Sequence, residues 1–214
     1  MLATQRNYYS TSNLWGLLAF GFTYPEINQF SYISSGGFRR DITKCLLECL
    51  PGRYERLETL AAKLNYQDGT LAKFEAEYLT TCTLNQSIPL YECYYRHSRE
   101  HPFILLELEA LLNSLGVRVN QDSDIRVDSL TKELEIMHFL AAWEDSARLE
   151  GKNERPYLLT QLNFLNQHLS VWIHPLQRDI NEKSTINFFR ALSKFIDVFV
   201  VHETERLQKI FDTG

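Results

Sequence analysis

The sequence predicts an all-α fold, one domain built as a bundle of roughly nine helices, and three observations carry that prediction. Apolar residues recur every three to four positions in segment after segment, the spacing that lines one face of a helix. Proline, glycine and Asp-Gly punctuation falls between those segments. No repeat, low-complexity tract or flexible linker divides the chain, so residues 1–214 read as a single helical domain.

The elements follow in order. Thr11 and Ser12 are candidate caps for a first helix carrying Leu14, Trp15, Leu18 and Phe22, which ends before Pro25. Pro25 suits the first turn of a short second helix with Ile27, Phe30 and Ile33, and Gly36-Gly37 breaks it. A third helix is expected over Asp41 to Leu50, closed by Pro51-Gly52. A fourth carries Leu57, Leu60, Ala61 and Leu64, and a fifth runs from Leu71 to about Thr81. Asn85 to Pro89 reads as a loop, because proline lacks a donor N–H and holds its predecessor extended. Tyr91 to Tyr95 is an aromatic-rich stretch of open type, and Phe103 to Leu115 a sixth helix that stops at Gly116.

The strongest periodic stretch is Val127 to Gly151, with Leu130, Leu134, Met137 and Ala141 on one face and Phe139, Leu140 and Trp143 widening it. Asp128 or Ser129 caps its start, Glu133 and Glu135 place negative charge near the positive end, and Gly151 stops it. Pro156 opens a further helix through Leu169, with a bend expected at Trp172 and Pro175. Ser184 is the expected cap of a last helix carrying Ile186, Phe189, Leu192, Phe195 and Phe199.

Composition narrows the function. A net charge of −5 argues against general nucleic-acid binding, which needs a basic footprint to displace phosphate counterions. No uncharged apolar run approaches the ~20 residues that span a bilayer, and the first residues form no signal peptide, so a cytoplasmic protein without stable membrane insertion is expected. The four cysteines then read as free thiols. A domain this rich in aromatics, at 13%, is expected as monomer or dimer with a surface able to grip something apolar.

Candidate chemistry is sparse. His97-Ser98-Arg99-Glu100-His101 fits H-x-x-E-H, but Pro102 biases His101 away from the helical region that a shared metal would need. Asp122, Asp124, Asp128 and Glu133 fall at calcium-loop offsets, yet the turn glycine is Val127 and Arg126 puts a cation in the site. Cys45 and Cys49 lack a second pair of soft ligands. No nucleophile motif and no phosphate loop is present, so no catalytic residue, metal or cofactor is expected.

Several segments together resemble the TorD-type family of molybdoenzyme maturation chaperones, with its DmsD and NarJ branches. Glu77-Tyr78 begins an E-Y-x-x-L-F stretch, and Pro89-Leu90-Tyr91 with Tyr95 fits the Pro/Tyr-rich loop that follows. Leu130, Glu133, Leu134 and Met137 fit the helix after the P-D-H motif, of which Asp128 is retained between Val127 and Ser129. Phe164 to Trp172 resembles a later F-L-x-x-H-L-x-x-W segment, and Phe188 to Phe199 the closing helix. Thr81-Cys82 departs from the Leu-Phe of the first motif.

The resemblance implies a TorD-like fold and a non-enzymatic cytoplasmic chaperone. Its partner would be the apo catalytic subunit of a DMSO-reductase-type molybdenum oxidoreductase, held, often by its twin-arginine leader, until the cofactor is inserted. Such a leader wants carboxylates beside an apolar groove. Glu77, Asp128, Glu133 and Glu135 are the candidate acids, Asp128 as an exposed acid at a helix start, and Tyr78, Tyr91, Tyr95 and Met137 the candidate apolar contacts. The alternatives are a small helical metal-dependent hydrolase built on the scattered histidines and a helical adaptor without a redox client.

Overall fold

In the computed structural model, residues 9–50, 54–67, 69–82, 88–117 and 126–212 are described, and their ordered elements are helices. Helix α8, Leu130–Leu149, is the predicted central helix, and its N-cap is Ser129, whose hydroxyl accepts from Lys132 N at 3.3 Å. Leu130, Leu134, Met137 and Ala141 are buried as their spacing predicts. Ile136, Leu140 and Ala147 are buried as well, so α8 is enclosed on most of its circumference. Gly151, just past its end, takes a left-handed φ of 67° that closes the helix at no side-chain cost.

Helix α1, Ser10–Gly21, lies along α8 and also meets α3, Gly37–Cys49, and α11, Asn187–Asp212. Its close approaches need glycine. A Cβ on Gly21 would sit 2.5 Å from Leu192 Cδ2 of α11. Thr11 and Ser12 do not cap α1. They lie inside it, because the helix begins at Ser10 after Tyr9, whose N–H donates to the Asp145 carboxylate at 2.9 Å. Trp15 of α1 packs its ring 4.4 Å from that of Phe199 in α11.

Helix α2, Ile27–Ser34, starts after Glu26 rather than at Pro25. Helix α3 begins at Gly37, four positions before the expected Asp41, because Gly36 alone absorbs the left-handed turn, at φ 80°, and Gly37 is already helical. Helices α4, Tyr54–Ala62, and α5, Leu71–Cys82, follow in the expected places, except that Leu64 lies in the turn after α4 rather than within it. Pro51-Gly52 and, of the loop expected over Asn85 to Pro89, residues 85–87 lie outside the described residues. The aromatic stretch resolves into a one-turn helix α6, Glu92–Tyr95, and α7, His101–Ser114, includes His101 in its first turn.

The largest departure is at the C-terminal side. Helix α9, Arg155–Phe164, a π-helical turn, Leu165–Leu169, and α10, Ser170–Lys183, form one continuous helical rod, with no break at Trp172 or Pro175. Pro175 forfeits one hydrogen bond to the carbonyl of Val171, a residue exposed enough for water to replace it. Ser184 caps nothing at α11. It ends α10, and α11 starts at Asn187 and returns along α10 and α9. The buried apolar residues of these helices form one contiguous core.

Candidate functional site

The segments that carry the sequence motifs meet where the chain leaves the 88–91 stretch. Tyr91 pairs antiparallel with Ser129, through Leu130 N to Leu90 O and Glu92 N to Asp128 O, both 2.9 Å. This short stitch fixes α6 against the start of α8. Asp128 is fully buried rather than the exposed acid its place at a helix start suggests. Its carboxylate accepts two bonds from the Arg126 guanidinium, at 2.9 and 2.8 Å, and one from the backbone N of Cys93 at 3.2 Å. Asp128 therefore caps α6, not α8. The Arg126 guanidinium in turn lies over the ring of Tyr91, 5.1 Å from its centroid.

Glu92, the first residue of α6, is wholly buried and accepts from Arg96 Nη1 and from His168 Nδ1, each at 2.8 Å. A carboxylate only accepts, so His168 carries its proton on Nδ1 in this contact. His168 stands on the π turn, and the widened turn brings its ring onto a group that belongs to α6. Arg96 also donates to Glu100 at 2.6 Å and to the carbonyl of Gln167 at 3.0 Å, so a single guanidinium ties α6, the approach to α7 and the π turn together.

Glu133 of α8 completes the buried set. Trp172 Nε1 donates to it at 3.0 Å. Burial, reinforced by the neighbouring charge of Glu92, pushes its carboxyl pKa well above the ordinary value, and only the Trp172 hydrogen bond appreciably opposes this. Tyr95 stacks on Trp172 at 5.7 Å, and burial raises its phenol further from the ionised form.

Of the eight residues singled out from the sequence, Tyr91, Tyr95, Asp128 and Glu133 come together here. The others lie apart. Glu77 of α5 holds the α10–α11 junction, accepting from Ser184 Oγ at 2.8 Å, Thr185 N at 2.7 Å and Ile186 N at 3.3 Å. Tyr78 donates to the carbonyl of Phe22 at 3.1 Å and packs edge-on against Tyr24. Glu135 faces solvent beside Lys132, at 2.9 Å, and Met137 is fully buried. Glu92 and Arg96 are central and escaped the sequence reading. Their i, i+4 spacing was the available signal, hidden because that stretch had no legible helical period.

Two clefts flank the network on its outer side. One, of about 400 Å³, is lined by Tyr94, Tyr95, Arg96, His97, Glu100 and Val171. The other, of about 330 Å³, lies between α7 and the α9–π rod, with Ala110, Leu111, Phe164 and His168 in its lining. The contact of Arg96 with Gln167 sits between them. Tyr94, Phe103, Leu106, Leu159 and Val171 are exposed on these elements, an unusual density of apolar surface. The cysteine of the network is no nucleophile, since burial pushes the Cys93 thiol up to about 12. Among the described residues no group of three or more potential metal-ligating side chains is assembled. The arrangement is an ionic network inside, with exposed apolar side chains and two clefts around it, which suits binding.

Over residues 48–178, a span that contains the whole network, the sequence matches the family described as nitrate reductase delta subunit. The chain belongs to that family. The chain is also 30% identical over 200 residues to the perchlorate reductase assembly chaperone protein of Dechloromonas aromatica (strain RCB), covering 92% of this chain and 89% of the relative. It is 28% identical to the chlorate reductase assembly chaperone protein of Ideonella dechloratans, over 73% of each. It is also 28% identical to the selenate reductase assembly chaperone protein of Thauera selenatis, over 58% of this chain and 66% of that one. The match and the relatives bear out the expected family of molybdoenzyme maturation chaperones. No described helix of this family member is long and apolar enough to cross a membrane.

Proposed function

We propose that this chain is a cytoplasmic assembly chaperone for a molybdenum-containing oxidoreductase, without catalytic activity of its own. It holds the apo catalytic subunit, through its leader or another segment, until the cofactor is inserted. The observation that carries this reading is the match to an assembly chaperone along nearly the full length of both chains. The site geometry supports it, because a mainly polar cleft and a more apolar one flank the ionic network, with exposed Tyr94, Phe103, Leu106 and Val171 on the surrounding elements offering area for a client segment.

The singled-out residues divide accordingly. Tyr91, Tyr95 and Glu135, partly exposed, contact the client. Asp128 and Glu133 act beneath them, holding α6 and Trp172 in place, and Glu77, Tyr78 and Met137 act through the packing of α5 and α8.

The test is capture of the tagged protein from its native cytoplasm with mass spectrometry of what accompanies it. Recovery of an unmatured molybdoenzyme catalytic subunit is the expected result. Recovery of the chain alone, or with unrelated proteins, overturns the proposal.

A further inference from the structure

The cleft between α7 and the α9–π rod contains one polar atom that the ionic network leaves unused. His168 is only 4% exposed, and its Nδ1 proton is committed to Glu92 at 2.8 Å. With that proton on Nδ1, Nε2 of the neutral ring carries a lone pair. This nitrogen has no partner among the described residues and opens into the cleft. The π turn, Leu165–Leu169, produces the arrangement, because its extra residue turns the ring toward α6 on one side and α7 on the other. Such turns interrupt regular helix bonding and recur at functional sites.

Around Nε2 the cleft is aromatic and apolar. The buried Phe164 ring lies 4.9 Å from that of His168 with 32° between their planes, so the two form one floor. Leu111 and Ala110 of α7 face it. Glu107, Asn163 and Gln167 are exposed and mark the mouth. At about 330 Å³ the space lies at the small end of the ~300–1,000 Å³ typical of ligand sites, room for one large side chain rather than a helix.

The inner polar groups accept and do not donate. Thr160 spends its hydroxyl proton on the carbonyl of Pro156 at 2.9 Å, leaving only oxygen lone pairs for a guest. A guest must therefore bring a donor, and a phenol or an amide would also bury an acceptor that nothing here satisfies. A cation is disfavoured too. Glu92, behind the imidazole, is already paired with Arg96 at 2.8 Å, and Glu107 stands in water at the mouth, so a charge at Nε2 would exchange its hydration for one neutral acceptor. Indole has a donor, no acceptor and a flat face that packs on rings.

We propose that this cleft is a pocket for a tryptophan side chain, its indole N–H donating to His168 Nε2 and its ring lying on Phe164. His168 is then a specificity-determining contact, and Glu92 holds it in the accepting tautomer. The inference rests on the chaperone reading only for the source of the tryptophan, a segment of the client.

The experiment uses the full chain with N-acetyltryptophanamide and its benzothienylalanine counterpart, in which sulfur replaces the indole N–H at nearly the same shape. In isothermal titration the tryptophan probe should bind about tenfold more tightly. In nitrogen-labelled protein the His168 Nε2 resonance should move upfield with that probe alone. His168→Phe keeps a floor ring and leaves Glu92 its Arg96 partner, and it should bring the affinity ratio close to one. Ala110→Leu, at an exposed position, fills the cleft and should weaken both probes together.

Equal affinities of wild type for the two probes, no binding of the tryptophan probe, an Nε2 resonance that stays in place, or undiminished binding in Ala110→Leu overturns the pocket. The resonance in wild type decides the matter even if His168→Phe does not fold. None of these results touches capture of a catalytic subunit from cytoplasm, so the two readings fail separately.

Discussion

Replacing Glu77 with alanine isolates a tertiary device that no local pattern announces. The α5 carboxylate caps the approach to α11 by accepting from two backbone N–H groups and from the Ser184 and Thr185 hydroxyls. Losing a cap costs about 1–2 kcal/mol, and the charge at the helix start adds about 0.5. Ser184 is fully buried, so its hydroxyl keeps only a 3.3 Å contact to the Ile186 carbonyl, and the poorer bond costs roughly 0.5 kcal/mol more. The total is about 2–3 kcal/mol.

Unfolding entropy of ~2.1 cal/mol/K per residue over this chain gives ~0.45 kcal/mol/K, so Tm should fall by ~4–7 °C. Differential scanning fluorimetry reads this directly, with Glu109→Ala on exposed α7 as the control. The pH dependence has a defined sign. Partial burial works to raise the Glu77 pKa, but hydrogen bonds from Thr185, Ser184 and Ile186 outweigh it and leave the carboxyl below its usual value. Its contribution is then present above the unfolded value of ~4.3 and lost as pH falls through the lower folded value. The gap in Tm between wild type and Glu77→Ala should close in that window. A gap under ~1 °C at neutral pH, or one that persists unchanged in acid, refutes the capping argument.

Three further perturbations follow from the packing and the network. Glu133 has the opposite sign from Glu77, because its folded pKa is raised: it favours the fold fully below ~4.3 and progressively less as pH rises toward the folded value. Glu133→Gln keeps an acceptor for Trp172 and removes the titration, so Tm of the variant relative to wild type should climb as pH rises above ~4.3, and a flat difference contradicts the buried protonated acid. Gly21→Ala drives a methyl to 2.5 Å from Leu192 and 3.1 Å from Phe38, both fully buried, and should cost about 1–2 kcal/mol in urea unfolding even after the small gain in helix propensity. Asp128→Ala should weaken client capture at least about tenfold by freeing α6, whereas exposed Ser98→Ala should not, with both variants checked for helix content by circular dichroism.

How legible this protein was from its chain differs between helices and sites. The stripes Leu130–Leu134–Met137–Ala141 and Phe189–Leu192–Phe195–Phe199 determined helices and their buried faces, because a period of 3.6 is a property of consecutive residues. The same holds for Gly151 as a stop, where one residue absorbs the left-handed turn. Motif order along the chain was enough to place it near its family.

What escaped were partnerships between residues far apart in sequence. Asp128 looked like the cap of its own helix, and only the antiparallel stitch between Tyr91 and Ser129 brings Cys93 N to it. Ser184 looked like the cap of the last helix until Glu77, more than a hundred positions earlier, took that role. Glu92 gave no local sign of meeting His168, since that meeting depends on a π turn in a rod expected to bend elsewhere. Apolar periodicity reports which side of a helix is buried. Where a polar group finds its partner is decided only when the helices are packed, because burial makes an unpaired charge costly and the fold must supply a partner from whichever segment lies nearest.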